Sequence, residues 1–315
     1  DWKTVLVSGT GGGGQGVFAL NVTDPTAFSA DKVMWEFTNH NDADMGFVVG
    51  RPQILKLRTS ANSASSATYK WYAVVPSGVN NYKVANNSGE FGSGNPTLFF
   101  LELGKPVGTG WTLGTNYFKV TLPIDTTLSQ TKATGLINFS ATIENAGEVG
   151  QMYMGDLHGN LWKLDFSLVG QIDWNINKLS VFNKGTISSP IPYPLFIAKD
   201  ALGNLQPITM APSIVNGPRP SSRYVFFGTG KYMESADKSS IAQQSIYAIY
   251  DDKFETGGDS SPVGPSAISG RARLRAGTAN ASTGSFSVTD FTLGRATSNT
   301  DTLLSTTLRS GCYVD

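Results

Sequence analysis

Two glycine-rich runs, two histidines, one oxygen-rich loop and a single cysteine are the places where this sequence could do chemistry. Gly11-Gly12-Gly13-Gly14-Gln15-Gly16 has the composition of a phosphate cradle. A cradle needs a strand, a glycine loop and then a helix whose N-terminal amides face the anion. Here a second apolar strand follows, and no Lys-Ser/Thr pair closes the loop, so the run reads as a flexible hairpin. Gly228-Thr229-Gly230-Lys231 looks like the end of a P-loop, but Tyr232 follows in place of Ser or Thr and the upstream glycine spacing is wrong. His40 and His158 lie in separate loops without a neighbouring His or Cys, whereas zinc needs three or four converging ligands. No Gly-x-Ser-x-Gly elbow or other nucleophile–base pairing stands out. Asn39-His40-Asn41-Asp42-Ala43-Asp44-Met45-Gly46 carries hard oxygen donors of the kind calcium takes at alternating positions. Its glycine comes one residue late for an EF-hand loop and the distal acid is missing; a turn held by Asx hydrogen bonds is the preferred reading. Cys312 gives neither an internal disulfide nor a cysteine metal site, and is either free or paired outside this chain.

The elements that would position these residues are strands. A two-strand unit recurs about four times, each copy an apolar strand ending in small residues, then a second apolar strand ending near an acid. The copies are Thr4–Gly9 with Gly16–Val22, Trp71–Gly78 with Thr97–Leu103, Met152–Asp156 with Gly159–Phe166, and Arg223–Gly230 with Ser245–Asp251. All but the first follow a further apolar segment, at Arg51–Leu57, Leu136–Ile143 and Ile208–Val215, rich in small and β-branched residues as an inner strand should be. Alternating segments such as Lys32–Phe37 and Tyr117–Leu122 suit half-solvated outer strands. Short strands repeating at intervals of tens of residues predict an all-β fold, a β-propeller with about four blades visible and long loop insertions. The first blade lacks its inner strand. We read residues 1–315 as a single propeller region, a fragment with further blades outside this chain. The alternative is that Leu303–Asp315 closes the ring. The aromatics Trp35, Trp71, Trp162 and Tyr247 are expected to pack between blades. Lys238–Gln244 is the best short helix candidate, and Ser60–Thr68 reads as a flexible insertion. Ser77–Asn95 and Glu255–Ser285 are long polar loops, and Asn80, Asn81, Tyr82 and Asp259 are the candidate binding residues on them.

Lys and Arg number 24 against 24 Asp and Glu, so no basic stripe points to nucleic acid. No run approaches the roughly 20 apolar residues of a membrane span. The Gly, Ser, Thr and Asn content is that of a secreted or surface-exposed chain. Asp1 is read as a processed or truncated start rather than a biological one.

Tyr153-Met154-Gly155-Asp156-Leu157-His158-Gly159-Asn160-Leu161-Trp162-Lys163-Leu164-Asp165 resembles a signature of the PilC/PilY family of type IV pilus tip proteins. So do Phe226–Glu234 with Gln244–Asp251, and Gly14–Pro25 with Met34–Phe37. The order holds along nearly the whole chain. The resemblance implies a modified, quinoprotein-like β-propeller that forms the C-terminal region of a larger extracellular protein at the pilus tip or outer surface, with the family's N-terminal domain not among residues 1–315. It implies a non-enzymatic role in pilus assembly, opposition to retraction, and adhesion. The implied partners are minor pilins or tip subunits and a host or abiotic surface. The family also implies calcium in an Asp-rich loop before the Gly-Asp of the third unit. In this sequence the alternating aspartates are replaced by Thr142, Glu144, Ala146 and Gly150, leaving Glu144, Asn145 and Glu148 as oxygen donors. The expectation is therefore no cofactor, with calcium absent or weakly held at this degenerate loop.

Two other readings compete. Quinoprotein dehydrogenases use propellers with similar Gly-Asn-Leu-Trp turns, but often carry a vicinal cysteine pair that Cys312 alone cannot supply, and no axial acid cluster is visible. A carbohydrate-binding propeller is allowed by the scattered aromatics without being specifically supported.

Overall fold

The computed structural model describes residues 2–61, 63–79, 94–186, 188–218, 222–251, 271–280, 282–293 and 308–315. The first sheet is antiparallel, with β1 (Val5–Gly9), β2 (Gly16–Asn21) and β3 (Val33–Thr38) in that order. The second places β4 (Gln53–Arg58), β5 (Tyr69–Pro76), β6 (Thr97–Glu102) and β7 (Tyr117–Thr121) side by side in chain order, the inner-to-outer order read from the sequence. In the third, β8 (Leu136–Ile143), β9 (Val149–Asp156) and β10 (Asn160–Asp165) are followed by a short helix, α1 (Ile176–Leu179), and a hairpin of β11 (Asn183–Thr186) and β12 (Ser189–Pro192). The fourth strand, β13 (Phe196–Ile197), then pairs with β10.

The fourth sheet starts with β14 (Ser213–Asn216), β15 (Arg223–Gly228) and β16 (Ile246–Asp251). Short strands follow: β17 (Arg275–Ala276), the hairpin β18 (Thr278–Asn280) and β19 (Ser285–Ser287), and the parallel pair β20 (Thr292–Leu293) and β21 (Leu308–Arg309). The outer strand comes from the end of the chain. β22 (Gly311–Val314) pairs antiparallel with β16, Ala248 opposite Cys312, and β17 adds in parallel beyond it.

The chain divides into two compact units, residues 1–151 with 165–179, and residues 152–164 with 180–315. β9 and β10 each run from one into the other. In the first unit, β6 reads Thr-Leu-Phe-Phe-Leu-Glu, apolar on both faces, and Leu98, Phe99, Phe100 and Leu101 are all buried. Phe99 and Leu101 pack with Val17, Ala19, Trp35 and Phe37 of the first sheet. Phe100, on the opposite face, meets Phe166 at 5.5 Å and Trp174 at 5.0 Å between ring centroids. A sheet covered on both sides explains why its strands read as apolar runs rather than alternating ones. In the second unit, Val225, Phe227, Tyr247 and Ile249 of the fourth sheet pack with Tyr153, Leu161, Phe196 and Ile208.

Several expectations change. The apolar segment Ile208–Val215 forms a strand only from Ser213, because Pro207 and Pro212 have no N–H for a ladder; Ile208 instead bridges to Gly230. Helical structure appears at Ser235–Ser239 as a 3-10 turn, not at Lys238–Gln244. Glu234 and Asp237 form a capping box that starts the turn early, and Ser240 is already extended. Trp35, Trp162 and Tyr247 are buried as expected, but Trp71 is about half exposed. It shares a face with Ala73 and Val75 but, unlike them, does not join the buried cluster on that face. The base of the Ser60–Thr68 insertion is fastened, with the Thr59 and Thr68 backbones bonded at 2.8 Å and Arg58 donating to the carbonyls of Ser60 and Ala61.

Candidate functional site

The chemistry-bearing residues collect in turns, and one turn is built repeatedly. In Asp156-Leu157-His158-Gly159-Asn160, Asp156 Oδ1 accepts from the backbone N–H of His158 and Asn160, each at 2.9 Å. Its Oδ2 accepts from Asn160 Nδ2 at 2.9 Å and Trp162 Nε1 at 3.0 Å. Asp200-Ala201-Leu202-Gly203-Asn204 repeats the arrangement, Oδ1 taking the Leu202 and Asn204 amides and Oδ2 the Asn204 side chain, all at 2.8 Å. Gly159 and Gly203 sit at φ of 81° and 87°, where a side chain is strained. The two carboxyls differ in electrostatics. Burial pushes Asp156 above the ordinary carboxylate value, against the hydrogen bonds from Asn160 and Trp162. Exposed Asp200 is held below that value, first by its hydrogen bond from Asn204. The Asp-x-x-Gly-Asn spelling stands twice in the sequence, at Asp156 and Asp200, and only the first copy lies within a stretch that resembles the family signature.

Glu144-Asn145-Ala146-Gly147-Glu148, the stretch the resemblance aligns with a calcium loop, turns between β8 and β9 on the same frame. The Glu144 N–H donates to the Glu148 carbonyl at 2.8 Å, and Gly147 has φ of 81°. The side chains no longer match: the Glu144 carboxyl lies back over Gly150, where a Cβ would collide with it. Lys56 Nζ donates to the Ala146 carbonyl at 2.8 Å, so an ammonium already engages a loop oxygen. Glu148 Oε2 is buried with no hydrogen-bond partner, one orphaned acceptor where calcium takes six to eight oxygens. Among the described residues, no three His, Cys, Asp or Glu side chains come together as a metal site. This donor set is a poor fit for a hard divalent cation.

The Asn39–Gly46 loop is held by local side-chain bonds, one of them an Asx turn at Asp42. Asp42 Oδ1 accepts from the Asp44 N–H at 3.0 Å, and Asn41 Oδ1 from the Thr38 N–H at 2.9 Å. Lys119 Nζ sits between the two acids, 2.8 Å from Asp42 Oδ2 and 2.9 Å from Asp44 Oδ2, and the Tyr117 hydroxyl donates to Asp42 at 3.1 Å. Burial disfavours the Lys119 charge, but the bonds to Asp42 and Asp44 win and its pKa is raised. The glycine run forms a hairpin turn between β1 and β2, with Thr10 Oγ1 donating to the Gly14 carbonyl at 2.6 Å.

The Gly228–Lys231 run opens a braced loop rather than a nucleotide site. Lys231 pairs with Asp237 at 2.6 Å and Glu234 at 3.2 Å, while Asp237 Oδ2 accepts from the Met233 and Glu234 amides. Gly230 N–H reaches the Pro207 carbonyl at 2.7 Å, and Thr229 and Ser245 bond reciprocally. On this frame Tyr232, Met233 and Ile241 are exposed. Asn80, Asn81, Tyr82 and Asp259 lie outside the described residues.

Comparison with known proteins follows this geometry. The family model of the PilY1 β-propeller domain matches residues 1–272. A type IV pilus biogenesis factor PilY1 homolog of Xylella fastidiosa is 32% identical over 278 residues, covering 87% of this chain and 16% of the relative. The type IV pilus biogenesis factor PilY1 of Pseudomonas aeruginosa is 30% identical over 259 residues, covering 79% of this chain and 19% of the relative. The chain thus spans under a fifth of each of these two. The crystal structure of the P. aeruginosa PilY1 C-terminal domain superposes with a TM-score of 0.66 at 24% identity, over 100% of this chain and 59% of that one.

Proposed function

We propose that this chain, which belongs to the PilY1 β-propeller domain family, is a scaffold region of a type IV pilus biogenesis factor and acts by binding other pilus components rather than by catalysis. The observation that carries the reading is the match over residues 1–272 together with the relatives' role in pilus biogenesis. The site geometry agrees with it. Asp156 of the signature turn caps backbone amides, Lys231 of the glycine-rich loop pairs with Asp237, and the acids of the oxygen-rich loop are paired with Lys119 of β7. The braced loop ending in Tyr232, Met233 and Ile241 offers exposed apolar side chains on a pre-ordered backbone, which lowers the ordering cost of binding. Its place at the pilus, opposition to retraction, and attachment to host or abiotic surfaces belong to the same proposal. No helix among the described residues is long and apolar enough to cross a membrane.

The test is an in-frame deletion of these residues in the full-length gene, with pilin measured in sheared surface fractions and in whole cells. Surface pilin should fall to background while cellular pilin is unchanged. Normal surface piliation would overturn the proposal.

A further inference from the structure

Lys56 brings a positive charge to the loop between β8 and β9, and three contacts fix where that charge sits. In β4, Lys56 lies opposite Trp71 of β5, and Tyr69 is its diagonal neighbour, opposite Arg58. Long side chains reach a diagonal neighbour on the same face of a sheet. The Lys56 ammonium accordingly lies over the Tyr69 ring, 4.7 Å from its centroid. The Lys56 backbone forms a parallel bridge with Glu148, the last residue of the loop. From that anchor the ammonium reaches into the turn and donates to the Ala146 carbonyl at 2.8 Å. All of these residues belong to the first compact unit.

The donors of the loop suit this ion better than a divalent one. Calcium needs six to eight oxygens, whereas an ammonium has three N–H groups to satisfy. The Ala146 carbonyl takes one of them, and the Tyr69 face favours a cation beside it. Glu144 and Glu148 place two acids in the same five residues, so a positive charge is favoured there over none. A cation tethered by a strand is also present at a high effective concentration, whatever the free ions in the medium. The other oxygen-rich loop of this unit is filled in the same way, with the Lys119 ammonium between Asp42 and Asp44.

We infer that Lys56 is the resident cation of the β8–β9 loop. Its ammonium holds the turn against the second sheet, as a bound divalent ion would, and the order of the loop is therefore constant whether calcium is scarce or abundant. A loop held by a metal loosens as the free ion falls; this one is locked by a side chain. The inference rests on the geometry of the loop and stands whether or not the pilus role does.

The test is amide hydrogen exchange on the purified full-length protein, read at residues 144–148 in chelator and in millimolar calcium. The Glu144 and Gly147 N–H groups report on the turn, being bonded to the Glu148 and Glu144 carbonyls. The wild type should exchange at one rate in both media. Lys56→Met keeps the length of the stem and removes the charge. Losing a hydrogen bond from a charged donor should speed exchange at these two amides by about ten- to hundredfold, with β6 unchanged. Lys56→Arg, which keeps the charge, should retain the wild-type rate. A wild-type loop that exchanges faster in chelator than in calcium would overturn the inference by assigning the loop a metal. Unchanged exchange in Lys56→Met would overturn it by making the ammonium a bystander, and so would a Lys56→Arg protein that behaves like Lys56→Met. The comparison of chelator with calcium needs no variant, so it decides even where Lys56→Met loosens the whole unit.

Discussion

Lys163 and Asp251 form an ion pair at 2.5 Å inside the second unit, with side chains only 1% and 2% exposed, and the Tyr153 hydroxyl donates to the same Asp251 oxygen at 2.6 Å. This links β9 and β10 of the third sheet to β16 of the fourth. Lys163→Met keeps the length of the side chain and removes the charge, leaving the Asp251 carboxylate buried without its ammonium. Breaking a buried pair from one side costs about 3–5 kcal/mol, because desolvation of the remaining charge is no longer offset. At roughly 2–4 °C per kcal/mol for a unit of this size, thermal unfolding of the second unit should fall by about 6–20 °C. Replacing both partners, as Lys163→Met with Asp251→Leu, removes both buried charges and should recover most of the loss, since an apolar pair is often as stable as the ion pair it replaces. Scanning calorimetry of the single and double variants measures both quantities. A single variant that loses less than about 1 kcal/mol, the worth of an exposed pair, would refute the reasoning. So would a double variant that is worse than the sum of the two singles.

Other tests address the turns. Gly159→Ala should cost more than Gly203→Ala by at least about 1 kcal/mol in urea midpoints, since both must hold positive φ. Only the Cβ at 159 meets carbonyls, of Gln206 at 2.7 Å and Ala198 at 3.0 Å, so equal costs would discard the crowding argument. Carbon-13 titration should find Asp156 above 3.8 and Asp200 below it. For Asp156, with its folded value raised, the linked stabilisation is full below the unfolded value and is lost as pH rises through the folded value. Asp200 has the opposite slope, losing its contribution as pH falls through its lowered value; a titration with the two reversed would contradict the burial account. Calorimetric titration with calcium should give no binding at micromolar concentrations. A saturating micromolar isotherm abolished by Glu144→Ala would show that the loop still holds the ion.

The two-strand repeat was legible because each copy combines apolar strands with a glycine or acid at its end, and β2, β6, β10 and β16 fall within a residue of those readings. The outer strands of the last two sheets were not legible. β13 is two residues long and β22 four, too short for periodicity to register. Both are also far in sequence from the strands they join, and pairing across such distances is set by tertiary packing rather than local pattern. Trp71 was misplaced for a related reason: alternation tells which face a residue takes, not how far along the strand the cover reaches. The ammoniums of Lys56 and Lys119 were invisible because each reaches an oxygen 75 to 90 residues away.

The repeated turn also explains why acids near glycines in this chain should not be read as chemistry by default. An aspartate at the first position of Asp-x-x-Gly-Asn is short enough to accept the amides two and four residues on, and the glycine supplies the positive φ that brings them round. Glutamate at the same position, Glu144, has one methylene more, and its carboxyl lies over Gly150 instead. The backbone turn survives, because the Glu144–Glu148 backbone bond and Gly147 suffice to close it. At this turn the frame therefore closes without a carboxylate bonded to its amides. A turn that closes without side-chain oxygens can hold calcium only where it also supplies enough donors, and here Lys56 of β4 donates to the Ala146 carbonyl.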